Sequence, residues 1–201
     1  MRRRWLLACI AATLGGCSLL PETPYVQRRS WPLDIHRPSA APPNRRGRVL
    51  LVRSVRAGPG LEARGLQWLQ PDGSVHVDFY EEWAVPPAQA VEDDLRQWLA
   101  DSGLFSAVVS PGSELNADYV VEGSLNTFVA DIRSGVARVA FAVVLLDQRR
   151  GSASKVLLQR TETAEERLAN NEPPAIAAAL KAALAEMLRR TETDIAAAIR
   201  K

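Results

Sequence analysis

Two spacings of apolar residues recur along the chain, one of two residues and one near 3.6, and the change from one to the other marks out the elements. The run Val49-Leu50-Leu51-Val52 predicts a strand over 48–55, buried on both faces. Gly58-Pro59-Gly60 interrupts it. A short strand over 66–69, the turn Pro71-Asp72-Gly73, and the alternation of Val75, Val77 and Phe79 with His76, Asp78 and Tyr80 together predict a hairpin over 66–80. Its second strand is half-buried, so one of Phe79 and Tyr80 is expected outside the core.

Pro86-Pro87 then opens a helix with Val91, Leu95, Trp98 and Leu99 on one face, and Gly103 stands where a helix cap is expected. Strands follow over 104–109, 119–129, 136–146 and 155–163. Pro173-Pro174 starts a second, longer helix whose apolar stripe is Ile176, Leu180, Leu184, Met187, Leu188, Ile195 and Ile199. The order of strands, helix, strands, helix implies an α+β fold: a single domain with a mixed, mostly antiparallel sheet and both helices packed on one face.

The amino-terminal region has neither period. Arg2, Arg3 and Arg4 precede a short apolar run, and Leu14-Gly15-Gly16-Cys17 follows. A basic start, an apolar stretch too short to span a bilayer, and small residues before a cleavage point make a secretion leader. The last four residues resemble the bacterial lipobox, which makes Cys17 the lipidated first residue of the mature chain, with palmitate the expected acyl chain. From Ser18 to Gly47 prolines are frequent, at 21, 24, 32, 38, 42 and 43, which reads as an extended tether. Tyr25, Val26, Trp31 and Leu33 are its apolar exceptions and are candidates to dock on the domain. The expected organisation is therefore a leader over 1–16, a lipidated start and Pro-rich tether over 17–47, and the folded domain over 48–201.

Charge and composition mainly exclude. The chain has 25 basic and 23 acidic residues, and without the three leader arginines 22 stand against 23, so nothing favours nucleic acid as a partner. Arg45, Arg46 and Arg48 read as a solvated linker end, or as contacts to anionic headgroups. The only histidines are His36, in the tether, and His76, on the hairpin, which leaves little for a metal site or a histidine-based acid or base. Cys9 lies in the leader, so no disulfide is expected. Ser124 lacks the second glycine of a nucleophile elbow, and no phosphate-binding loop follows a strand. Glu81-Glu82 could be imagined as an acid and base, but neighbours on an extended segment point apart. No cofactor is implied.

Aromatic side chains carry more information. Trp68, Phe79, Tyr80 and Trp83 fall within sixteen residues of each other. Such density builds either a local core or a docking surface, and Trp68, Tyr80 and Trp83 are the partner-interface candidates. The alanines of the last helix reflect helix propensity or allow a second copy to approach, so a homo-oligomer is a further possibility.

Several segments resemble one family. They are Leu61-Glu62-Ala63-Arg64-Gly65-Leu66, Asp72-Gly73, the run Phe79-Tyr80-Glu81-Glu82-Trp83-Ala84-Val85-Pro86-Pro87, and Asn116-Ala117-Asp118-Tyr119-Val120-Val121-Glu122-Gly123 with Phe128. Ala137, Val139 and Phe141 leading into Leu146-Asp147 continue the likeness. It is to the ABC-type transport auxiliary lipoproteins, and it covers nearly the whole mature chain. The resemblance implies a non-catalytic envelope protein that binds the periplasmic mammalian-cell-entry (MCE) protein of an ABC lipid transporter and docks it at the outer membrane. Ser18 after the cysteine, where an aspartate is the usual inner-membrane retention signal of enteric-type lipoproteins, favours that membrane by the resemblance to the lipobox. Alternatives are a structural or pilotin-like assembly lipoprotein, and a periplasmic lipid carrier, which requires an apolar cavity.

Overall fold

The computed structural model describes residues 25–149 and 154–200; the leader and Cys17 lie outside them. The strands are β1 (Arg29–Trp31), β2 (Val49–Val52), β3 (Arg56–Ala57), β4 (Gly65–Leu69), β5 (Val75–Trp83), β6 (Ala107–Val109), β7 (Tyr119–Asp131), β8 (Val136–Asp147) and β9 (Lys155–Arg167), with helices α1 (Pro87–Ala100) and α2 (Pro173–Ile199).

All nine strands join one mixed sheet organised around β7. One edge of β7 pairs antiparallel with β8, which pairs antiparallel with β9. The other edge is shared by three short strands in succession, all parallel to it: β2 at Tyr119–Val121, β3 at Ser124 and Leu125, and β4 at Ala130 and Asp131. The chain from β2 to β4 thus runs the length of β7, touching it between strands through Arg53 N–H to the Val121 carbonyl (2.9 Å) and Gly58 N–H to the Leu125 carbonyl (2.8 Å). At Gly58 a Cβ would press on that same carbonyl, so a side chain there would separate the two segments. Outside this frame β6 flanks β2, β5 flanks β4, and β1 flanks β5.

Both helices cover one face. Leu50 and Val52 of β2, Val121, Leu125 and Phe128 of β7, and Val139, Phe141, Val143 and Leu145 of β8 meet Val91, Leu95 and Leu99 of α1 and Ile176, Leu180, Leu184 and Leu188 of α2 in one core. Proline begins each helix, where its missing N–H costs nothing, and Gly103 after α1 takes the left-handed conformation (φ 71°) that glycine adopts without strain. The architecture is the α+β arrangement expected. In β2, however, only Leu50 and Val52 are fully buried, because the face carrying Val49 and Leu51 has no helix over it.

A second difference concerns residues 29–47, expected as part of the tether. They belong to the fold. β1 pairs in parallel with Glu81–Trp83, Leu33 and Ile35 are buried, Ala41 N–H bonds the Asp101 carbonyl (2.8 Å), and Asn44 N–H bonds the Phe105 carbonyl (3.0 Å). Proline spacing misleads here because an extended strap laid on a domain has the same φ preference as a free linker. What distinguishes the strap is its buried Leu33 and Ile35.

A buried acid, Asp94, and a partly buried one, Glu192, hold this strap. Asp94 on α1 accepts the Ile35 N–H (3.1 Å), and burial pushes its carboxyl up to about 7. Glu192 on α2 accepts from Arg37 (3.1 Å) and from the Trp98 indole (2.7 Å), so strap and both helices meet at one carboxylate.

Candidate functional site

The hairpin of β4 and β5 departs from simple alternation, and the cause is Asp78. Its Oδ1 accepts the N–H groups of Tyr80 (2.7 Å) and Glu81 (2.9 Å), a side-chain turn that competes with the ladder. Pairing with β4 is in register from Val75 to Val77, then slips, so that Gly65 faces Glu82 while Gln67 faces Val77. Gly65 sits against the Asp78 carbonyl, where a Cβ has no room.

The slip reverses which residues point inward. Beyond it Glu81 and Trp83 are buried; before it Val75, Val77 and Phe79 face solvent, with Phe79 67% exposed and Val77 46%. Tyr80 lies outside as well, edge-on to Phe79 at 5.1 Å. The expectation of one exposed aromatic is thus corrected to two, because β5 spans five residues, from Val77 to Glu82, where β4 spans two, and that odd excess of three shifts the phase. Arg28 places its guanidinium over the Phe79 ring at 4.2 Å.

Of the interface candidates, Trp83 is a core residue, 1% exposed and packed on Phe128 at 5.4 Å, which removes it from any contact with another molecule. Trp68 is partly buried at the rim of the core and stacks on His76 at 4.2 Å. Its register with Ala130 puts it on the helix side of the sheet, whereas Val77 and Val75, opposite Gln67 and Leu69, lie on the other side. The hairpin therefore offers two different faces. Val75, Val77 and Arg28 were not singled out by the sequence pattern; the available signal was an aspartate in mid-strand, which offers the backbone an alternative acceptor.

Residues that chemistry would require stand apart. Glu81 is buried and accepts from Arg29 (2.7 Å) and the Trp31 indole (2.8 Å), which pins β1 to β5, while Glu82 meets Arg64 (3.2 Å) on the outside. Ser124 donates to Asn126 (2.9 Å), His36 pairs with Asp34 (3.0 Å), and His76 stacks on Trp68. Glu162 on β9 is raised by burial and by a shared hydrogen bond with Asp194 on α2, and Arg160 lies 3.1 Å from the first and 2.8 Å from the second. That cluster ties the edge strand to the helix. Among the described residues no group of three or more potential metal ligands gathers, and no helix is long and apolar enough to cross a membrane.

Between sheet and helices there is no mouth for an apolar ligand at Leu95, Leu99, Leu125, Phe141, Leu180 or Leu184, all of them closed to solvent. The described concavities are superficial. One of about 210 Å³ lies over the Glu162, Arg160 and Asp194 cluster, and another of about 190 Å³ lies by Arg53 and Glu122.

Solved structures share this fold. Protein XCC0632 from Xanthomonas campestris, of the DUF330 family, matches with a TM-score of 0.68 at 21% identity over 84% of this chain and 96% of its own. An uncharacterised protein matches at 0.63, with 15% identity over 83% and 99% of the two chains. The hypothetical protein CT253 from Chlamydia trachomatis matches at 0.50, with 14% identity over 73% and 96%. No functionally curated protein matches the chain. The model of the ABC-type transport auxiliary lipoprotein component family matches residues 32–191, from the strap to the middle of α2, and the chain belongs to that family.

Proposed function

We propose that the protein is a non-catalytic, lipid-anchored docking subunit of an ABC lipid transport system, held through Cys17 in the outer membrane and facing the periplasm, where it binds the transporter's MCE-domain protein. The observation that carries this reading is the closed core under a sheet sheathed on one face only. A lipid carrier needs an apolar chamber, and a hydrolase needs convergent polar groups; this domain instead presents surfaces. The family's name as a transport auxiliary supports the same reading.

Trp68 with its stacked His76 is the protein contact we assign, since a half-buried indole fixed by a neighbour is already ordered when a partner arrives. Affinity capture of the tagged, anchored protein from detergent-solubilised envelopes tests the reading. Recovery of an MCE-domain protein, lost in Trp68→Ala, is the expected result. A capture in which the anchored protein is intact and no MCE-domain protein is present overturns it.

A further inference from the structure

Eight large apolar side chains are exposed among the described residues, and six of them are Tyr25, Val26, Val75, Val77, Phe79 and Tyr80. The first two begin the described chain; the other four lie on β5, the strand that pairs with β1. Phe79 and Tyr80 immediately precede the stretch of β5 that pairs with β1, and Arg28, two residues after Val26, joins the two groups by lying over Phe79. Only eight positions separate Tyr25 from Cys17. At about 3.5 Å per residue the fully stretched connection reaches about 28 Å, less than the thickness of a bilayer's hydrocarbon core, so an acylated Cys17 keeps this end of the domain beside the lipid.

We infer that the strip of Tyr25, Val26, Val75, Val77, Phe79 and Tyr80 with Arg28 is a membrane-contact surface, seated in the headgroup layer of the leaflet that holds the lipid anchor. The inference rests on the anchoring reading above and adds a second, protein-borne contact to it. The chemistry fits an interface more than a core: tyrosine and phenylalanine rings on the outside, β-branched side chains beside them, and the half-exposed guanidinium of Arg28, 3.9 Å from Glu82, at their edge. A single loosely tethered point would let the domain rotate freely. A second contact on a rigid strand fixes its orientation and turns Trp68, on the other side of the hairpin, toward the periplasm.

The test uses the acylated full-length protein in vesicles of phosphatidylethanolamine and phosphatidylglycerol, with an environment-sensitive fluorophore on Val77→Cys. The control label is on Ser113→Cys, in the loop after β6 at the far end of β7. With spin-labelled lipids in the vesicles, the label at 77 shifts to the blue and loses most of its emission, while the label at 113 is unaffected. Adding Phe79→Ser and Tyr80→Ser restores emission at 77 although the protein still floats with the vesicles. If the protein floats but the label at 77 stays unquenched, the membrane contact is wrong; shielding of that label by a second copy or by an added MCE-domain protein, without lipid quenching, also overturns it. Failure to float, with an unmodified mass at the mature start, removes the anchoring reading and this inference together.

Discussion

Strands β8 and β5 lie in the same sheet with β4 and β7 between them, and they keep different rules. Along the 12 residues of β8, Ala137, Val139, Phe141, Val143 and Leu145 all turn to the helices, and the residues between them are half-exposed. The nine residues of β5 change phase once, after Asp78, and leave Val75, Val77 and Phe79 in solvent while Trp83 enters the core. Strand β8 is clamped by long partners on both sides and by α2 above, so a slip of one residue would expose its whole apolar row. Strand β5 has only the three residues of β1 on one side and a short β4 on the other, and an aspartate can afford to take two of its N–H groups. The apolar side chains left outside by that slip are the ones available to another molecule.

Substitutions separate the two behaviours. The largest effect is expected at Trp83→Ala, which empties a fully buried site against Phe128 and lowers stability by about 3–5 kcal/mol in denaturant unfolding. Asp94→Asn goes the other way. The Asp94 carboxyl, up to about 7 in the fold, lies well above its unfolded value of about 4, so the native state holds the extra proton; stability is fully present below about pH 4 and is lost as pH rises to about 7. The groups facing it are Asp34 and Asp93, which raise it, and His36, which lowers it. Asparagine keeps an acceptor for Ile35 and removes the ionisation, so at pH 8 the variant is more stable than its parent by on the order of 3 kcal/mol, and the difference fades by pH 4. Thermal melts across that range measure it.

Within the regular part of the sheet, Gly123→Ala drives a methyl group into the Phe141 ring and costs about 1–3 kcal/mol. At the other extreme stands Phe79→Ser, an aromatic removed from the surface of β5. Its effect on unfolding stays within about 0.5 kcal/mol, although the same change in a strand obeying β8's rule would be severe. A loss of several kcal/mol at Phe79 would erase the distinction between the regions.

Much of this fold is legible in the sequence because periodicity records burial. The stripes Val91, Leu95, Leu99 and Ile176, Leu180, Leu184 and the alternation in β7 and β8 register one covered face, and the α+β order follows. The hairpin itself is also legible from Pro71-Asp72-Gly73. Which of its residues face inward is not, since that depends on Asp78 choosing its own backbone over β4, a local competition invisible to a period of two. The strap is only half legible: Trp31 and Leu33 stand out as docking candidates and do pack on the domain, Tyr25 and Val26 stand out equally and do not, and a few apolar residues among prolines are too few to show a period. Aromatic crowding singled out the hairpin, yet it could not tell Trp83, which packs, from Phe79, which does not.

Photo-crosslinking in intact envelopes, with a benzophenone side chain at position 68 or at position 79, tests the two-faced docking surface most directly. The expected outcome is a covalent adduct to an MCE-domain protein from position 68 and adducts to phospholipid from position 79. Protein adducts from both positions, or none from position 68 in cells where the transporter is present, would contradict it.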